Sequence, residues 1–162
     1  MNSRLLNRLV ETEGTLGPLA LRIPAGIIFA AHGSQKLFGW FGGYGLAGTG
    51  QWMASIGLSP GELFALLAGS AEFFGGIALL LGVLVRPAAA LLAFTMLVAI
   101  FSVHITKGLF LDKGGFEYAL ALFAVSISLF ISGAGAFSLD RAFGGVNRDP
   151  RRQAGISRPL SV

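Results

Sequence analysis

Residues 63–85 read LFALLAGSAEFFGGIALLLGVLV, and Glu72 is the one ionisable group in the stretch. A helix rises about 1.5 Å per residue and the hydrocarbon of a bilayer is about 30 Å thick, so about 20 apolar residues cross it. The stretch has that length and that composition, which predicts a membrane-spanning helix. Three further stretches have the same character. Residues 17–38, GPLALRIPAGIIFAAHGSQKLF, are the most mixed, with Arg22, Pro24, His32 and Lys36. Residues 88–106 hold one titratable group, His104, and residues 117–137 open on Glu117 and carry serines through their middle. Together these stretches nearly exhaust the apolar part of a 162-residue chain that is 54% hydrophobic and 12% charged. That is more apolar material than one small soluble core can hide, so the excess must face lipid. The expected fold is all-α, an integral membrane bundle of four transmembrane helices.

The basic residues set the orientation. Arg4, Arg8, Arg86, Arg141, Arg148, Arg151, Arg152 and Arg158 fall on one side of the spans, whereas Lys107, Lys113 and, near a helix end, Lys36 fall on the other. The positive-inside rule then places both termini in the cytoplasm. Residues 1–16 form a cytoplasmic segment; Glu11 and Glu13 beside its arginines, and the full-length apolar run that follows, favour a retained helix over a cleaved signal. Residues 17–143 form the membrane domain, and residues 144–162 a basic tail expected to be poorly ordered. The net charge of +4 thus reads as topology and not as a nucleic-acid face. No cysteine is present, which excludes dithiol exchange, thiolate metal ligation and iron–sulfur clusters bound by this chain. Redox work would need a borrowed cofactor.

The first outer loop, residues 39–62, combines glycines with Trp40, Phe41, Tyr44 and Trp52, aromatics suited to the headgroup boundary, and a short interfacial helix is expected over 51–56. Its Gly43, Gly45 and Gly48 spell a literal G-x-G-x-x-G. No strand precedes them and no βαβ unit presents a dinucleotide, so the match is accidental.

Ionisable groups inside a span are costly and must face other helices. On the first helix Arg22, Gly26, Phe29, Gly33 and Lys36 share one face, with His32 at its edge; on the second, Gly69, Glu72, Gly76 and Leu79 share a stripe. On the fourth, Glu117, Ala121, Ala124, Ser128 and Ser132 make a small, polar face. Depth along the helices brings His32, Glu72, His104 and Glu117 to the outer half, with Arg22 in the inner half and Asp140 or inner water as its counterpart. Two readings stay open. In one, Glu72 pairs with Lys36 or His32, and Glu117 with Lys107 or His104, only to specify packing. In the other, the cluster receives a small polar-headed ligand such as a quinone, with Glu72 and His32 exchanging protons. A bis-histidine haem through His32 and His104 is disfavoured, because histidine alone is a weak signal. No metal is expected, as no helix carries a His-x-x-Glu or similar pair. No residue is assigned as catalytic.

Taken together, Arg22 with Gly26, the stretch HGSQKLFG, AEFFGGIALLLGVLVRP with Glu72 and Arg86, His104, Glu117 and the ending SGAGAFSLDRA with Asp140 resemble the DoxX family. The resemblance covers about residues 15 to 143. It implies a multi-pass protein of the bacterial inner membrane, grouped by name with a subunit of archaeal quinol oxidase and related to thiosulfate:quinone oxidoreductase subunits. It also implies a redox-enzyme or other membrane-protein partner. The function expected is an accessory or anchor subunit of a quinone-linked respiratory or redox-protective complex. The alternatives are a non-catalytic assembly or scaffold protein and, third, a small-solute transporter, which would require a homo-oligomer because four helices alone enclose little room. Glu72, His32, Lys36, His104 and Glu117 are the candidate ligand-binding residues, and Arg22, Arg86 and Asp140 the structural polar ones.

Overall fold

The computed structural model describes the backbone of residues 16–145 and side chains as far as Ala142. Helix α1 runs Gly17–Phe38. A single turn at Trp40–Gly42 leads to α2, Gly45–Ser55. Helix α3 covers Gly61–Leu81 and α4 Val85–Ala99, the latter running on through a π turn at Ile100–His104 and a tighter turn at Ile105–Lys107. Helix α5 is Glu117–Ser132 and α6 Leu139–Gly145. Helix α1 packs most extensively on α3, α3 on α4, α4 on α5, and α5 returns to α1, so the four long helices close a ring, while α2 lies across α1 and the start of α3.

Local chemistry explains the ends. Pro18 and Pro87 sit in the first turns of α1 and α4, where a missing N–H costs nothing, and Pro60 immediately precedes α3. Gly39 and Gly82 end α1 and α3 in the left-handed conformation, with φ of 74° and 66°. Several expected boundaries therefore move. The helix expected over 63–85 stops at Leu81 because Gly82 breaks it, and the next starts at Val85, ahead of Pro87. The helix expected to reach residue 137 stops at Ser132, where Gly133 turns the chain at φ 78°. The interfacial helix expected over 51–56 spans Gly45–Ser55. Residues 1–15 and 146–162, with most of the two expected cytoplasmic segments, lie outside the described residues.

Two helices, Gly61–Leu81 and the continuous Val85–Lys107, are long and apolar enough to cross a membrane. Helix α5 is apolar but has 16 residues, and α1 has 22 residues but a more mixed composition. The core between the helices is built on Phe29, Leu79, Leu92, Met96, Leu122 and Leu129. Outward faces are also apolar, with Phe74, Phe94, Phe101 and Ile131 all exposed. One expected face is reversed. Helix α5 buries Ala119, Leu122, Ser126 and Leu129, while Ala121, Ala124, Ser128 and Ser132 face outward. The branched leucines fill the space against α4, and Ser132 satisfies its hydroxyl by donating to the Ser128 carbonyl at 2.7 Å.

The seam between α1 and α3 is made of glycines. A Cβ on Gly33 would run into the backbone of Phe73 and Gly69, and one on Gly76 into Ala30 and the Gly26 carbonyl. No side chain fits between these backbones, which is how small residues bring helices together where the hydrophobic effect is weak. Gly33→Ala should therefore lower stability by about 1–3 kcal/mol, the usual cost of overpacking. Gly17→Ala, with nothing within 4 Å of the added atom, should change it by less than about 0.5 kcal/mol. Thermal melts of the two purified variants in one detergent check the contrast, and equal melting would refute the seam.

Candidate functional site

Close approach of α1 and α3 brings Lys36 onto Glu72. The Lys36 ammonium donates to Glu72 Oε2 at 2.5 Å, and the side chains are 24% and 5% exposed. Both lie on the faces that the glycines press together: Lys36 follows Gly33 by three residues, and Glu72 follows Gly69 by three. This is the ion pair found among the described residues. Above it lies a cavity of about 700 Å³ whose wall includes Gln35, Lys36, Tyr44, Thr49, Gln51 and Trp52. The roof is held in place by glycine: a Cβ on Gly43 would collide with Gln35, and Gly61 lies directly on the Gly50 carbonyl, seating α2 on α3. Gln35 also donates its amide to the Phe41 carbonyl at 3.2 Å. The literal G-x-G-x-x-G thus forms the loop and first turn of α2, and no strand precedes it among the described residues.

The other titratable residues singled out in the sequence lie elsewhere. His32 is exposed and faces α5, its ring 6.2 Å from that of Tyr118. It precedes Gly33 by one residue, about 100° around the helix, so a seam centred on Gly33 turns it away from Glu72. His104 pairs its Nδ1 with the Gly114 carbonyl at 2.7 Å, and Glu117 accepts the Leu111 N–H at 2.6 Å. Both close the loop between α4 and α5, so of the four groups expected to converge, His32, Glu72, His104 and Glu117, Glu72 alone has a charged partner, Lys36. His32 and His104 sit on different partners, and no group of three or more His, Asp or Glu suited to a metal occurs among the described residues.

Arg22 is 1% exposed and has carbonyls, not a carboxylate, as its partners. Its Nη1 donates to Leu79 and Leu80 at 2.7 and 2.8 Å, and its Nη2 to Ala136 and Phe137 at 3.3 and 2.6 Å. Asp140, the expected counterpart, is engaged elsewhere, accepting the N–H groups of Leu84 and Val85 at 2.7 and 3.0 Å. It thereby caps α4, where a carboxylate meets the positive end of the helix. Arg86 is exposed at the same end of the helices. Gln35, Thr49, Gln51 and Trp52 were not among the residues singled out for binding. For Thr49, Gln51 and Trp52 the signal was available in the run GLAGTGQWMAS, in which Thr49, Gly50 and Met53 are the buried positions.

The profile of the DoxX family matches residues 17–105, which contain the glycine seam, Arg22, the Lys36–Glu72 pair and the cavity. The chain belongs to the DoxX family. Among its DoxX relatives is CatD of Bacillus subtilis strain 168, provisionally named an oxidoreductase, 34% identical over 77% of this chain and 85% of its own length. The inner membrane protein YqjF of Escherichia coli K12 is 35% identical over 78% of this chain and 91% of its own. Rv3486 of Mycobacterium tuberculosis H37Rv, named a membrane protein, is 33% identical over 83% of this chain and 85% of its own. No solved structure matches.

Removing one partner of a buried pair leaves the other charge uncompensated, which costs more than removing both. Lys36→Met should destabilise this DoxX protein by about 1–3 kcal/mol, less than a fully buried pair would lose because Lys36 is part-exposed. Lys36→Met with Glu72→Gln should recover at least half of that. A double-mutant cycle by thermal or denaturant unfolding tests this, and strict additivity would show that the two groups do not interact.

Proposed function

We propose that the chain is a four-span DoxX subunit of the bacterial inner membrane, with both termini cytoplasmic, whose outer cavity receives the polar head of a quinone. It would serve as accessory or anchor subunit to a redox partner. The observation that carries the reading is the buried Lys36–Glu72 pair at the edge of the cavity. A volume of about 700 Å³ falls in the range of small-molecule sites. Membrane insertion is supported by the apolar outward faces and by the names of the relatives YqjF and Rv3486. The name of CatD supports a redox connection.

A quinone head offers two carbonyl acceptors on a flat ring, and the residues fit that chemistry. Lys36, Gln35 and Thr49 supply donors, and Trp52 and Tyr44 supply aromatic surface. A bound quinone would supply electron and proton transfer between partner and membrane. Lys36 has three N–H donors and gives one to Glu72, which leaves donors for a ligand oxygen. Glu72 orients that ammonium through the bond to its Oε2. His32 lies toward Tyr118 and Glu72 is paired with Lys36, so no direct contact joins Glu72 and His32 for proton exchange.

One observation favours the second reading, a scaffold without a ligand: Arg22, Asp140, His104 and Glu117 are all bonded to backbone groups that hold segments together. Lipid extraction separates the two. Protein purified from native membranes should retain quinone, and Glu72→Gln and Lys36→Met should each reduce the retained amount by about tenfold, the loss of one charge-assisted hydrogen bond. Absence of quinone from the unmutated protein would leave the scaffold. Orientation is testable separately because the chain lacks cysteine. In intact cells an impermeant maleimide should label Lys113→Cys, whereas Ala142→Cys should react only after permeabilisation; the opposite pattern would invert the topology.

A further inference from the structure

A second cavity, of about 430 Å³, lies at the other end of the helices, where the α3–α4 turn meets the segment joining α5 to α6. Arg86 and Arg141 both line it, and both are exposed. Neither pairs with a carboxylate among the described residues. Arg86 makes one long side-chain bond, 3.4 Å to the Ile131 carbonyl. Its guanidinium lies over Gly133, whose missing side chain leaves room for it: an added Cβ would stand 3.4 Å from Arg86 Nε. Asp140 shares the wall, but its two oxygens are turned to the Leu84 and Val85 N–H groups. The cavity therefore holds two uncommitted cations and one carboxylate already engaged with the backbone.

Its surroundings are apolar. Leu84 in the wall is 65% exposed, and Ile131 and Phe137 beside it are 68% and 83% exposed. Leu84 and Phe137 have φ of 49° and 51°, a left-handed conformation that bulky residues seldom adopt. Two strained positions thus hold large apolar side chains outward beside two guanidinium groups that have no carboxylate partner among the described residues.

We propose that this cavity binds the phosphate of an anionic phospholipid headgroup between Arg86 and Arg141, with the lipid's chains lying against Leu84, Ile131 and Phe137. Guanidinium groups suit phosphate because their forked donors match its oxygens. The apolar rim favours a lipid over free phosphate, since a free anion gains nothing from it. The proposal rests on the four-span reading, which sets this end at the cytoplasmic headgroup level, where anionic lipids attract basic residues.

Native mass spectrometry of the full chain in detergent, titrated with phosphatidylglycerol or phosphatidylcholine, tests it. The unmutated protein should prefer phosphatidylglycerol by about tenfold or more, as two arginines at an anionic headgroup predict. Arg86→Gln with Arg141→Gln should bring the two lipids within about twofold. Where the double variant fails to fold, Arg141→Gln alone carries the test and should lower the preference by at least about threefold. Equal binding of the two lipids by the unmutated protein, or a preference that survives both substitutions, would overturn the proposal. Complete displacement of the lipid by inorganic phosphate would also overturn it, in favour of a free-anion site. Quinone is read in the same lipid extracts, so a protein without quinone but with a phosphatidylglycerol preference would sink the quinone reading and leave this one standing.

Discussion

The contact on which the rest depends is the backbone-to-backbone approach of α1 and α3 through Gly26, Gly33, Gly69 and Gly76. In lipid, apolar side chains gain little by leaving hydrocarbon for a helix interface, so association rests on close packing and on internal hydrogen bonds. Once Gly33 is pressed against the Gly69–Phe73 backbone, the rotation of both helices is settled. Lys36 and Glu72 must then meet, and His32 must look toward α5. The ion pair is accordingly a consequence of the seam. Close backbones also place the two charges in contact distance in a medium of low dielectric, where the attraction is strong enough to offset part of their desolvation.

The polarity of the molecule follows the same rule from the other side. Phe74, Phe94, Phe101 and Phe130 lie outside and Arg22, Glu72 and Ser126 inside, the distribution expected where the solvent is hydrocarbon and polar groups look for internal partners. Arg22 illustrates the requirement. Its four bonds tie the C-terminal end of α3 to the segment before α6 through carbonyls near a helix end and in a turn. Asp140 completes the knot from the opposite direction by satisfying the first N–H groups of α4, while its own N–H donates to the Gly82 carbonyl at 2.9 Å.

Some of this was legible in the sequence and some was not. The faces Arg22–Gly26–Phe29–Gly33 and Gly69–Glu72–Gly76–Leu79 could be read from helical spacing, because glycine and a charge in an apolar run have few alternatives to an interhelical contact. The inward face of α5 could not. Its serines satisfy themselves on the preceding turn, so a polar stripe there did not have to be buried, and leucine volume decided the rotation instead. The loop partners of His104 and Glu117 were hidden for another reason: they depend on the path of residues 107–116, which no periodicity describes. Depth along a helix was an insufficient guide, since it leaves the angle around the axis open, and His32 lies about 100° around the helix from Gly33 at the seam.

The two cations of α1, buried Arg22 and half-buried Lys36, differ in a way that bears on function. Arg22 spends four N–H groups on fixed carbonyls of two segments, and a guanidinium stays protonated at any accessible pH. It can hold structure but has no proton to exchange. Lys36 has one protein partner, itself a titratable carboxylate, and its remaining side is open to a cavity. A charge so placed is held by the fold yet incompletely satisfied by it, so it can reward a ligand oxygen that supplies the missing bond. Arg22 therefore belongs to the architecture, whereas Lys36 keeps one side open to the cavity beside Glu72.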